Sequence, residues 1–213
     1  MAAELGLAAR PLEEHDDLEN TLVLFASDNG GSAEVVQIGE GEIGAIDRWS
    51  SLGGRWANVS NTPFREYKHW VHEGGISTPL IVHWPAQIDG GGRFVREPGH
   101  IIDVMATAVD VAGALYPADK TALAGTSLAP TFHDEPLDRT MLFWEHEGNR
   151  AVRQGKWKLV ARHDQPWELY DLEADRSETN DLTGQHREKV AELTRAYEEW
   201  AATHQVRPWP LQQ

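Results

Sequence analysis

The chain has 213 residues, 40% of them hydrophobic and nine of them tryptophan, enough apolar material for one large domain or two small ones. A formal net charge of −15 excludes non-specific nucleic-acid binding and disfavours an anionic membrane surface, so neither nucleic acid nor membrane is expected as a partner. There is no cysteine, hence no disulfide or thiol chemistry, and no apolar run approaches membrane-spanning length.

The stretch Met1–Leu18 has no sustained apolar core and carries Glu13, Glu14, Asp16 and Asp17, so it reads as the end of a helix rather than a targeting peptide. Composition leaves the compartment open, cytoplasmic or periplasmic. Leu22-Val23-Leu24-Phe25-Ala26 is a short continuous apolar run, the signature of a strand covered on both faces. Segments 20–28 and 79–84 are both expected in a parallel, covered sheet, the second bounded by Pro79 and Pro85. Ser27-Asp28-Asn29-Gly30-Gly31 follows the first run. By itself it is a tight turn, or a carboxylate and an amide oxygen presented beyond a strand end, where open α/β sheets bind ligands. From Gly39 to Asn61 the chain is rich in Gly, Ser and Trp and reads as one long loop, a pocket rim or a plain surface excursion.

Residues 101–113 suggest a helix ended by Gly113 with Pro117 beyond it, its Asp103 and Asp110 being caps or surface groups. From about 139 the texture changes. Segments 140–146, 149–154, 157–162 and 167–171 are rich in aromatic and β-branched residues, and Gly148 and Gly155 punctuate the first three, as in an antiparallel meander. Val190, Leu193, Tyr197, Trp200 and Ala201 then recur at helical spacing between Arg187 and His204, a stripe suited to packing on that meander. Pro208-Trp209-Pro210 should be irregular. The fold class is α/β, divided into residues 1–135 and 136–213.

Further blocks follow in a fixed order. Lys68 lies five residues before Glu73-Gly74-Gly75-Ile76, and Thr78 to Pro85 comes next. Then come Phe143-Trp144-Glu145-His146-Glu147-Gly148-Asn149-Arg150, Gly155-Lys156-Trp157-Lys158, Glu168-Leu169-Tyr170-Asp171-Leu172 and Glu178-Thr179-Asn180-Asp181-Leu182. With Asp28-Asn29, this set resembles the C-terminal half of the sulfatase family, bacterial arylsulfatases in particular, within the alkaline phosphatase superfamily. It runs from about Asn20 to about Trp200. The resemblance implies the C-terminal portion of a sulfatase-type mixed sheet with flanking helices, followed by a small four-stranded antiparallel sheet with one packed helix. It implies a sulfuric-ester hydrolase that uses Ca²⁺ (or Mg²⁺) and a formylglycine nucleophile on a sulfate-ester small molecule or glycan. Asp28 and Asn29 map onto metal ligands, and Lys68 onto the lysine that contacts the sulfate, a catalytic and substrate-binding role.

The same resemblance exposes departures. With no cysteine, and with no serine followed by x-Pro-x-Arg (Ser77-Thr78-Pro79-Leu80 continues into Ile81), the chain holds no formylglycine precursor. It is expected to be inactive alone and to need a separate N-terminal half as partner. Ser77-Thr78 stands where the family often has Arg-Val, a departure that bears on any substrate contact at Ser77 and leaves the core chemistry untouched. His69, His72 and His83 read as structural or pocket-wall residues, His146 as a polar strand-end residue, and Glu73 as orienting its turn. A phosphonate or phosphate monoester hydrolase of the same superfamily is the alternative reading, and a non-catalytic anion- or partner-binding fragment is another. A half-domain of exposed strands should also be marginally stable or prone to aggregate.

Overall fold

The computed structural model describes residues 2–210. In chain order the elements are α1 (Ala2–Glu14), β1 (Val23–Ala26), β2 (Gln37–Ile38), β3 (Trp49–Ser50), α2 (Gly53–Ser60), α3 (Glu73–Ile76), β4 (Leu80–His83) and α4 (Asp103–Val111), then β5 (Leu142–His146), β6 (Asn149–Gln154), β7 (Trp157–Ala161), β8 (Glu168–Asp171) and α5 (Arg187–Thr203). They form two compact units interleaved along the chain: Met1–Ala26 with Pro79–Arg139, and Ser27–Thr78 with Thr140–Gln213. A boundary after residue 135 follows the chain, whereas residues 27–78 cluster with the C-terminal residues.

In the first unit β1 and β4 pair with each other in antiparallel register, Val23 opposite His83 and Ala26 opposite Leu80. This corrects the expectation of parallel, covered strands. Apolar content marks a strand but carries no information on its direction, and Leu80 and Ile81 are exposed. The core here is Leu128, Phe132 and Leu137, with Leu22, Val82, Trp84 and Val111 packed against it. Helix α4 starts two residues later and ends two earlier than the periodicity suggests. Its end is a paired hydrogen-bond closure: Gly113 N–H donates to Asp110 O and Ala114 N–H to Val109 O. Asp103 is no surface group. It is fully buried, accepts the His100 N–H at 2.7 Å and the Thr126 N–H at 2.9 Å, and pairs with Arg139. Asp110 is exposed, as expected, and accepts the Ser127 hydroxyl.

The second unit is organised by the meander β5-β6-β7-β8, every neighbour antiparallel. Period-two alternation sorts its side chains. Val152, Leu159 and Leu169 face α5, where Leu193 and Tyr197 complete the cluster. Ala151, Val160 and Tyr170 face the other way, onto Val71 and Ile76. The meander and α5 follow the expected segments to within a residue or two. The stretch 39–61 departs from the single loop expected of it. Gln37 and Ile38 pair with Ser50 and Trp49, and α2 occupies Gly53–Ser60. Two leading glycines make α2 a poor helix by propensity, so packing of its buried Ala57 has to hold it.

Lys158 shares the Val160 face of β7 and is fully buried. Its Nζ lies 2.9 Å from Glu73 Oε1 and 2.8 Å from Glu178 Oε1, and Arg176 reaches Glu73 Oε2 at 3.1 Å. Glu178 also accepts the Glu73 backbone N–H at 2.7 Å. Glu73 therefore does more than orient a turn: it pins α3 onto the meander. Burial pushes its carboxyl up, but the Lys158 ammonium and Arg176 outweigh that and hold it at about 2. Burial alone would lower the Lys158 ammonium; the Glu178 and Glu73 carboxylates raise it instead.

Candidate active site

The two glycine pairs singled out in the sequence lock into each other. Gly30 N–H donates to Gly75 O at 3.0 Å, Gly31 N–H to Asn61 Oδ1 at 2.9 Å, and Lys68 N–H to Gly31 O at 3.1 Å. A Cβ on Gly30 would sit 1.8 Å from Gly74 O, and one on Gly74 would sit 2.3 Å from Arg65 O. Neither glycine has positive φ. They are required by close backbone approach rather than by turn geometry. The structure thus brings the Asp28–Gly31 turn and the Lys68 segment together at the backbone.

Asp28 is exposed and Asn29 half-buried, and among the described residues neither side chain makes a hydrogen bond or ion pair. Lys68 is half exposed, with its Nζ 3.5 Å from Glu34 Oε1. Glu34 belongs to the segment leading into β2, whose return is fixed by Gly53 N–H on Glu34 O at 3.2 Å.

The histidines divide three ways. His72 is fully buried, with its Nε2 3.3 Å from Glu168 Oε2, a structural role as expected. Its hydrogen bond, then Tyr170 and Arg65, hold the Glu168 carboxyl at about 2 against the effect of burial. Burial and the Glu168 carboxylate push the Tyr170 phenol up. His83 lies exposed on β4. His69 and His146, by contrast, meet: their rings are 5.2 Å apart edge to face, and His69 Nδ1 is 3.3 Å from Glu147 Oε2. No local spacing signals a group drawn from positions 69, 146 and 147. Ser77 Oγ accepts a hydrogen bond from Arg176 at 2.9 Å.

Two family profiles match this chain: "Sulfatase" over residues 7–114 and "N-sulphoglucosamine sulphohydrolase, C-terminal" over residues 65–207. The chain belongs to the sulfatase family. It is similar to an uncharacterized sulfatase of Schizosaccharomyces pombe, 28% identical over 89% of this chain and 39% of that protein. It is also similar to the steryl-sulfatase of Mus musculus, 29% identical over 97% of this chain and 36% of that one. Among solved structures, Ps i-CgsB in complex with a neocarrahexaose superposes with a TM-score of 0.72 at 26% identity, covering 92% of this chain and 40% of that one. The phosphonate monoester hydrolase of Agrobacterium radiobacter, at 20% identity, a TM-score of 0.63 and coverage of 95% and 39%, shares the fold. This sulfatase chain therefore matches the C-terminal part of the family and spans about two fifths or less of the relatives named here. Sulfatases are hydrolases and are typically metal-dependent.

Proposed function

We propose that this chain supplies the C-terminal part of a sulfuric-ester hydrolase, contributing Asp28 and Asn29 to a Ca²⁺ (or Mg²⁺) centre and Lys68 to the sulfate. The observation that carries the reading is the interlock of the two glycine pairs, which ties the Lys68 backbone to the Asp28–Gly31 turn while Asp28 and Asn29 keep their side chains unpaired. The donor set suits a hard cation: one carboxylate oxygen brings charge, and one amide oxygen is neutral. Six to eight oxygens complete such a sphere, so most come from outside this pair. When bound, the metal supplies Lewis-acid stabilisation of charge on the sulfate oxygens.

Lys68 is a compact cation with three donors, suited to a sulfate oxygen and to negative charge growing on the ester oxygen as the S–O bond breaks. Its present partner is easily exchanged. An exposed ion pair is worth about 0–1 kcal/mol, so a dianionic or monoanionic ester can displace Glu34 at little cost. The nucleophile is not among this chain's residues, which have neither cysteine nor Ser-x-Pro-x-Arg.

Complementation tests the reading. The chain is co-expressed with the N-terminal part of a homologous sulfatase that carries formylglycine; sulfate release is followed from an aryl sulfate and a sulfated galactose oligosaccharide, and alcohol release from a phosphonate monoester. Hydrolysis of a sulfate ester that disappears in Lys68→Ala and in Asp28→Ala supports the proposal. Hydrolysis indifferent to both substitutions overturns the assigned roles, and preference for the phosphonate moves the chain to the sister activity. The solved complex with a carrageenan-type oligosaccharide makes sulfated glycans the substrate class to try first.

A further inference from the structure

We propose that His69, His146 and Glu147 form a second metal site, selective for a divalent transition metal of the zinc class and separate from the oxygen donors of Asp28 and Asn29. One donor atom from each of the three side chains lies within 4.8 Å of the other two. Two imidazole nitrogens and one carboxylate oxygen are a borderline-soft set that suits Zn²⁺, Co²⁺, Ni²⁺ or Cu²⁺, whereas Ca²⁺ and Mg²⁺ take oxygen throughout.

The backbone holds the three in place. His146 ends β5, and Glu147 and Gly148 form the two-residue connection to β6, at φ 51° and 79°, the geometry of a tight hairpin. His69 itself sits at φ 96°, a conformation non-glycine residues seldom adopt, and its ring lies against that of His146 on the hairpin. Beneath them lies Asn149, 2% exposed. Its Nδ2 donates to His146 O at 2.9 Å and its Oδ1 accepts the His163 N–H at 3.1 Å, so its amide cannot turn over without losing both bonds.

Asn149 Nδ2 also lies 3.4 Å from His69 Nε2, long for a hydrogen bond. A metal on Nδ1 needs the proton on Nε2, so loading the site opens this weak contact to water. The Nδ1–Glu147 bond is replaced in the same event: the metal takes the place of the proton between the two atoms. With His69 and Glu147 about two fifths exposed, water has access to the remaining coordination positions.

The test uses the chain without a histidine tag. Zn²⁺ is titrated by calorimetry and Co²⁺ by its visible absorption, at neutral pH. One equivalent should bind, with Co²⁺ giving the intense bands of a low-coordinate nitrogen-bearing site. His69→Ala and His146→Gln should each weaken Zn²⁺ by more than the roughly 10- to 100-fold that a missing outer-shell partner costs. Glu147→Gln should weaken it less, and Asp28→Ala should leave it unchanged. Because His146 is exposed at a hairpin end, its glutamine variant keeps the fold even where the His69 variant does not. Absence of saturable Zn²⁺ binding, binding unchanged by His146→Gln, or binding lost in Asp28→Ala would each overturn the proposal. None of these readouts depends on sulfatase activity.

Discussion

In the two compact units of this chain, the apolar strands have opposite fates in the fold, and the more continuously apolar pair is the less buried. In the unit of Ser27–Thr78 with Thr140–Gln213, the central strands β6 and β7 are closed on both faces, with Val152, Leu159 and Val160 fully buried. In the unit of Met1–Ala26 with Pro79–Arg139, β1 and β4 make a two-stranded ribbon, and Ile81 on β4 is 58% exposed. The residues proposed for chemistry, Asp28, Asn29, Lys68 and the His69 group, all ride on the closed unit. The meander is thus the anchor of the Lys68 segment, through Lys158, Glu73, Glu178 and the contact of Arg65 with Glu178 O at 2.7 Å. A site that must hold a lysine near a metal gains from being built on the rigid partner.

The comparison breaks first at Lys158. Lys158→Met leaves two buried carboxylates without their shared cation, and the closed unit should lose about 3–5 kcal/mol in urea unfolding. Replacing Glu73 and Glu178 by glutamine together with Lys158→Met should recover much of this loss, since no unpaired charge is left behind. Packing gives the next largest contrast. Leu159→Ala should cost about 2–5 kcal/mol, because its cavity lies between β6, β8 and α5. Ile81→Ala, at an exposed position, should change stability by no more than about 0.5 kcal/mol. Equal losses at the two positions would erase the distinction between the units.

Acid should act on the closed unit through the same cluster. Glu73 has its folded pKa lowered from 4.5 to about 2, so its contribution is complete above about 4.5 and is lost as pH falls through about 2. The shift corresponds to about 3 kcal/mol. Glu168 loses stability in the same window, by less, because a third of its side chain is exposed and screened. Urea midpoints between pH 6 and pH 2.5 should therefore fall with acid, and Glu73→Gln should flatten the slope. In Lys158→Met the slope should flatten further or reverse, since protonation then relieves Glu178, left without a cation, and Glu73, left with Arg176 alone.

Local patterns made much of this fold legible. The meander declared itself through β-branched and aromatic runs split by Gly148 and Gly155, and α5 through a stripe from Val190 to Ala201, because strand and helix periods are read within a few residues. Pairing over long range left no such trace. Lys158 inside a strand looks like a solvated lysine until Glu73 and Glu178 are placed beside it. Nothing in the apolar runs told β1 to oppose β4 in antiparallel register, and two glycines disguised the start of α2. In the candidate site, motif resemblance points to Asp28, Asn29 and Lys68, while the physical reason for the glycines beside them, backbone contact between Gly30 and Gly74, belongs to the folded chain. His69 and His146 are both visible in the sequence, but as separate residues, since their meeting depends on a loop landing on a hairpin.

The residue with the largest proposed effect on turnover should have only a small effect on stability. Lys68 is half exposed and its pair with Glu34 spans 3.5 Å, so Lys68→Ala should shift the unfolding free energy by no more than about 1 kcal/mol, and the shift should shrink with added salt. The backbone bond from Lys68 N–H to Gly31 O does not need the side chain, and alanine keeps it. In the complemented enzyme the same substitution should abolish most sulfate release if, as proposed, Lys68 contacts the group being transferred. A variant that melts like the parent but no longer turns over places Lys68 in the chemistry. One that melts much earlier would show instead that its side chain helps hold the Asp28 turn, and the loss of activity would then say nothing about contact with the sulfate.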